Sequence, residues 1–240
     1  MKRIPWMIGL TLTIVTLSMV STLAQNHEDS YSPPADLPEG WYARIETSMG
    51  RIVARLLPEQ APQSVAHFAA MAQGRLEWFD RISGELRKGP YYDGIKVHRS
   101  IAGRHFEAGD PQGTGRGAPD LFVPREGLGP ITFNAPGRLG MTKDGPRISA
   151  VQFFATAAGE PWLSPGHPCF GVVISGLTVI QNISQVKTYS NDRPVEPPVI
   201  ETVHIFSIGE PPALPDPEPY RPQFKQLDDR PNLRQTEPVK

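Results

Sequence analysis

Residues 96–110 read KVHRSIAGRHFEAGD. The first half alternates as a β-strand does, with Ile95, Val97, Arg99 and Ile101 on one face and Lys96, His98 and Ser100 on the other. That pattern sets an arginine in a row of apolar side chains. A guanidinium is always charged and costs free energy to desolvate without partners. Arg99 therefore needs a chemical explanation. The loop that follows, DPQGTGRGAP, is not a phosphate cradle. It lacks the G-x-G-x-x-G spacing, a following helical pattern, and the lysine and hydroxyl of a phosphate-binding loop. Its glycines read as turn punctuation.

Outward from this stretch the chain is mostly short strands. ARIETSM and RIVARLL flank Gly50 and each alternates: Ala43, Ile45 and Thr47 share one face, and Ile52, Ala54 and Leu56 share another. This predicts a β-hairpin. APQSVAHFAAMAQG then changes period, with Val65, Phe68, Ala69 and Ala72 on one helical stripe, Pro62 at an early helical position and Gly74 at the stop. Residues 75–94 are polar apart from Tyr91 and Tyr92 and read as an inserted loop. Further strands are expected at 138–142, 150–156, 169–174 and 199–208, with a short helix at LTVIQNISQV between the last two. Many short strands without regular βαβ alternation point to an antiparallel barrel or sandwich.

The ends differ from the middle. MKR is a positive n-region, IPWMIGLTLTIVTLSMV is apolar, and STLAQ offers small residues before a cut after Ala24. This has the form of a secretory signal. The stretch is also nearly long enough for an uncleaved anchor, whereas a buried core helix fits poorly because it has no polar face. Residues 1–24 are thus assigned to a signal or anchor, 25–40 to a polar linker, 41–210 to the folded domain, and 211–240 to a proline-rich, extended or disordered tail. The expected location is exported, periplasmic or otherwise extracytoplasmic, with membrane attachment only if the first segment is retained.

Composition narrows the function. Lys and Arg total 24 against 25 for Asp and Glu, so there is no electrostatic case for nucleic acid or an anionic membrane surface. The single cysteine, Cys169, excludes an internal disulfide and a zinc site built on cysteine pairs, and it lies in the apolar run CFGVVI as a packed thiol would. None of the six histidines has metal-ligand spacing on a helix. What remains is a polar and aromatic set: Arg99 and Glu107, then Gln152 and Phe154 two apart on one strand face, then Trp162, Leu163 and His167. Singly, each except Arg99 is explained by core packing or by an ordinary surface position.

Together they resemble a family. PYYDGIKVHRSIAGRHFEAGDPQGTGRGAPDLF is similar to the cyclophilin active-site strand, GRLGMTKDGPRISAVQFFAT to the family's S-Q-F-F segment, and WLSPGHPCFGVVISGLTVI to its W-L-D-x-x-H segment. The three lie in order between Tyr42 and Gly209. The resemblance implies a mainly β fold: a closed eight-stranded antiparallel barrel capped by two helices. It implies peptidyl-prolyl cis-trans isomerase activity without a cofactor or metal, acting on proline-containing peptides or unfolded exported proteins, and cyclosporin as a further partner. It assigns Arg99 as the catalytic arginine. Phe154 and Leu163 become pocket walls with His167 at the rim, Gln152 grips the substrate backbone, and Trp162 flanks the pocket. Lys143 stands where the family has a backbone-binding asparagine, so only its main-chain groups carry over. Arg104 and His105 replace the usual aromatic and methionine walls, and Glu107 replaces the glutamine that orients the arginine. A weakened or specialised isomerase is expected; the alternative is a proline-binding chaperone or assembly module with little or no catalysis.

Overall fold

The computed structural model describes residues 32–34, 36–127 and 129–217. Residues 1–24 and 218–240 lie outside the described residues, and so do residues 25–31 and 35 of the linker. Among the described residues no helix is long and apolar enough to cross a membrane.

The folded unit, from Leu37 onward, opens with the hairpin expected at Gly50: β1 (Gly40–Thr47) and β2 (Gly50–Leu56). Helix α1 (Pro62–Ala72) follows with proline in its first turn, and Gly74 just beyond it takes φ +65°. The inserted segment is not a plain loop. It forms a separate two-stranded hairpin, β3 (Glu77–Asp80) with β4 (Glu85–Lys88). Trp78 from it packs edge-on against Tyr91 with ring centres 5.0 Å apart. Tyr91 and Tyr92 are buried, and their hydroxyls donate to the carbonyls of Gly109 and Val151 at 2.9 and 3.1 Å.

The opening stretch departs from one continuous strand. It comprises β5 (Ile95–Lys96) and β6 (Arg99–Ile101), broken at Val97 and His98. The break is a change of partner. The amide of Val97 donates to the Pro198 carbonyl, whereas that of His98 donates to the Glu107 carbonyl. Burial shifts register with it: Ile95 and Val97 are buried before the break, His98 and Ser100 after it. Arg99 is therefore not in the apolar row that simple alternation predicts. It lies on the opposite face from Ser100, with its side chain 43% exposed.

The rest of the sheet consists of β7 (His105–Ala108), β8 (Phe122–Val123), β9 (Arg138–Asp144), β10 (Arg147–Thr156), β11 (Cys169–Ser175) and β12 (Val199–Ile208). Helix α2 (Leu177–Ser184) sits between the last two, as expected. All pairings are antiparallel, in the order β5-β12-β1-β2-β11-β9-β10-β7-β6, with β8 beside β10. Ten strands thus form one curled sheet rather than a closed ring of eight. The ladder is open, because no pairing joins β5 to β6; the chain itself spans them at Val97 and His98.

Inside the curl, Phe68 of α1 lies 4.9 Å from Tyr92, 5.5 Å from Phe153 and 5.1 Å from Phe170, ring centre to ring centre. A smaller apolar cluster forms separately from Leu57, Phe133, Phe154 and Cys169, with Leu163 against it. Burial pushes the Cys169 thiol up to about 11, which fits a packed rather than a reactive sulfur. Residues 211–217 have no regular structure, yet Leu214 packs on the core and the Trp41 indole donates to the Pro212 carbonyl at 2.9 Å.

Candidate active site

Four adjacent strands supply one row across the sheet. Arg99 of β6 opposes Glu107 of β7, Glu107 opposes Phe154 of β10, and Phe154 opposes Gly140 of β9. Directly opposed residues in antiparallel strands share a face, so the guanidinium, the carboxylate and the ring are neighbours by register alone. Gly140 makes room for the ring: a Cβ there would lie 2.3 Å from Phe154 and 2.5 Å from Phe133. His105 and His167 flank Phe154 with ring centres at 5.5 and 5.3 Å, His167 edge-on. Leu163 packs against the same apolar cluster as Phe154, beside the charged end of the row.

Arg99 is held on two sides. Its Nη1 donates to Glu107 at 2.8 Å, while Nε and Nη2 donate to one oxygen of Asp192 at 3.3 and 3.2 Å. Glu107 is itself surrounded, with His105 Nε2 at 3.4 Å and His98 Nε2 at 3.7 Å. Burial opposes its ionisation, but hydrogen bonds from His105 and His98 and the charge of Arg99 win and hold its carboxyl well below the usual range. The other ring nitrogen of His105 bonds Glu160, a fully buried carboxylate that also takes the Arg104 Nε–H at 2.7 Å. The Arg104 guanidinium in turn sits 4.8 Å from the centre of the Trp162 ring, whose residue is 57% exposed. Arg104 and His105 are thus tied into a polar chain that runs from Trp162 to Asp192.

His167 donates from Nδ1 to the Met141 carbonyl at 2.8 Å, and burial lowers its pKa below the ordinary 6.5. Nε2 is then the unprotonated nitrogen of a neutral ring. Gln152 and Lys143 are not part of the apolar cluster around Phe154. They line an adjoining cavity of about 430 Å³ with Glu107, Arg116 and Phe122. A larger groove of about 690 Å³, bounded by Lys96, Tyr189 and Arg193, contains no residue of the row.

The structure therefore gathers Arg99, Glu107, His105, Phe154, Leu163 and His167, sets Gln152 and Lys143 beside them, and leaves Trp162 at the rim. Sequence reasoning missed Asp192 and Glu160. The signal that points to them is charge accounting: Arg104, His105 and a doubly held Arg99 need more carboxylate than Glu107 provides.

A family model described as cyclophilin type peptidyl-prolyl cis-trans isomerase/CLD matches residues 42–205. This chain belongs to the cyclophilin family. It is similar to peptidyl-prolyl cis-trans isomerase A of Mycobacterium tuberculosis, 38% identical over 165 residues that cover 68% of this chain and 91% of that protein. It is also similar to peptidyl-prolyl cis-trans isomerase B of Streptomyces anulatus, 37% identical over 170 residues covering 70% and 97%. Among solved structures, a cyclophilin type isomerase of Cryptosporidium parvum in the presence of the dipeptide Ala-Pro superposes with a TM-score of 0.57 at 25% identity, covering 70% of this chain and 99% of that one. This cyclophilin is a peptidyl-prolyl isomerase, and the row from Arg99 to Phe154 is its candidate active site.

Proposed function

We propose that this cyclophilin isomerises X-Pro bonds in unfolded exported proteins, with Arg99 as the catalytic donor. Rotation about the X-Pro bond is slow because the nitrogen shares its lone pair with the carbonyl, a barrier of roughly 18–20 kcal/mol. In the twisted state the lone pair localises on nitrogen. A donor aimed there strengthens as the bond twists, which stabilises the transition state selectively. A guanidinium has five N–H groups; Glu107 takes one and Asp192 two, so two remain for the substrate. The proline ring enters the slot of Phe154, Leu163 and His167, with His105 as a wall, and Trp162 flanks the entrance. Gln152, and Lys143 through its main chain, hold the peptide on either side. No group accepts a proton or forms a covalent bond.

The observation that carries this reading is the cross-strand row, which sets Arg99, Glu107 and the Phe154 ring in one register. The extracytoplasmic location is supported by the sequence of residues 1–24 alone. A second reading, binding without turnover, is favoured by the two carboxylates on Arg99, which neutralise the charge it offers. Exchange spectroscopy on an Ala-Pro peptide separates the two. Catalysis gives cis/trans exchange at substoichiometric enzyme. Shifted resonances at the uncatalysed exchange rate would leave the binding-only reading standing.

A further inference from the structure

We infer that Asp192 is a positioning residue for the catalytic arginine, a role that rests on the reading of Arg99 as donor. Asp192 lies in the loop between α2 and β12, far from Arg99 in sequence, and its place is set by the main chain. Its amide donates to Tyr189 at 3.1 Å, and its carbonyl accepts from Ser100, the residue next to Arg99, at 2.8 Å. The loop is closed below it by Val195 donating to Lys187 at 2.9 Å. Among the described residues Asp192 is the only non-glycine with positive φ, at 62°. Aspartate tolerates this conformation better than most residues, but glycine adopts it with no steric cost. The loop would be satisfied by glycine; the carboxylate has another use.

That use is visible in the hydrogen bonds. One oxygen of Asp192 bridges Nε and Nη2, and Glu107 takes Nη1, so the guanidinium plane is pinned at its side and at its end. A cation on a long flexible stem is otherwise free to swing, and a donor must be aligned before the amide twists. Glu107 alone makes one bond, which leaves rotation about that contact. Asp192 removes it. The free N–H groups, one on each terminal nitrogen, then have fixed directions.

Three variants separate the backbone from the carboxylate. Asp192→Gly keeps the positive φ and deletes the acceptor. Asp192→Asn tolerates the same φ and keeps an acceptor oxygen without the charge. Arg99→Ala reports on the donor itself. The readouts are kcat and KM on an Ala-Pro peptide, the melting temperature, and the ¹H–¹⁵N resonance of Arg99 Nε. Positioning predicts that Asp192→Gly lowers kcat about tenfold with KM within about twofold and an unchanged or higher melting temperature, and that the Nε signal broadens. Asp192→Asn should stay within about threefold of wild type with the Nε signal retained. Wild-type kcat and an unmoved Nε signal in Asp192→Gly, with Arg99→Ala inactive, overturn the role of Asp192 alone. An Asp192→Asn variant as impaired as Asp192→Gly also overturns it, because charge and not alignment would then be at work. Full activity in Arg99→Ala instead removes the donor reading and this inference with it.

Discussion

Glu107 is the residue whose chemistry departs furthest from the family pattern, and its surroundings explain how a carboxylate is tolerated there. His98, His105 and Arg99 all face it. Glu107→Gln keeps an acceptor for Arg99 but withdraws a charge that competes with the substrate for the guanidinium. We expect kcat/KM on an Ala-Pro peptide to rise, by at most about tenfold, and stability at neutral pH to fall by about 1–3 kcal/mol. A fall in kcat/KM at unchanged melting temperature would contradict the first part. The pH dependence follows from the same group and from His167. Both have folded pKa values below their unfolded ones. In each window the unfolded chain binds more protons, so stability falls on acidification: first below about pH 6.5 through His167, then below about pH 4.3 through Glu107. Asp110, held low by the amides of Gln112, Thr114 and Gly117, adds to the acid limb, so the difference between wild type and Glu107→Gln isolates the Glu107 share. The melting temperatures of the two proteins should differ by a constant amount above about pH 5 and converge as pH falls from about 4.3 towards about 2; a difference that stays constant down to about pH 2 would show that Glu107 is not held low. Arg99 was legible in sequence because a motif surrounds it. Asp192 and Glu160 were not, since they lie in loops without periodicity, 93 and 56 residues from the arginines they hold.

At the level of elements, register is what assembles the site, and Gly140 is the most sensitive position in it. A methyl group there meets the Phe154 ring at 2.3 Å, so Gly140→Ala must displace a slot wall. Overpacking of this kind costs about 1–3 kcal/mol. We expect a lower melting temperature and a raised KM, with Phe154→Leu in the same chain restoring part of the stability. An unaffected KM would mean that the rings do not fill the space above Gly140. The hairpin at Gly50, the strands expected at 138–142, 150–156, 169–174 and 199–208, and both helices were legible from period and from a glycine or proline near a boundary; β12 occupies the expected 199–208, whereas the two-residue β8 is too short to show a period. Hairpin β3–β4 was not, because Glu85–Lys88 is exposed throughout and shows no apolar alternation. The break at Val97 and His98 was hidden for a different reason. A strand that changes partner buries both of its faces in turn, and alternation in sequence cannot report the switch.

The described residues from Leu37 onward form a curled sheet around a packed aromatic core, with the candidate site on a row of four strands. The cyclophilin family was legible because three motifs survive in order within the matched residues 42–205. Closure was not legible, because hydrogen bonding between first and last strands is a property of the folded ladder and not of any local pattern. Export is a prediction at this scale. The mature protein should begin near Gln25 when sequenced from a membrane-free extracytoplasmic fraction, and an intact Met1 on a cytosolic protein would refute it. The central claim is that the frame holds Arg99 as a donor to the twisted amide without depending on it for stability. The most direct test is kcat/KM on an Ala-Pro peptide for Arg99→Ala beside wild type, with melting temperatures for both. The account predicts a loss on the order of 10²-fold, mostly in kcat, in a chain that melts within a few degrees of wild type. Undiminished turnover in a folded Arg99→Ala protein would contradict it.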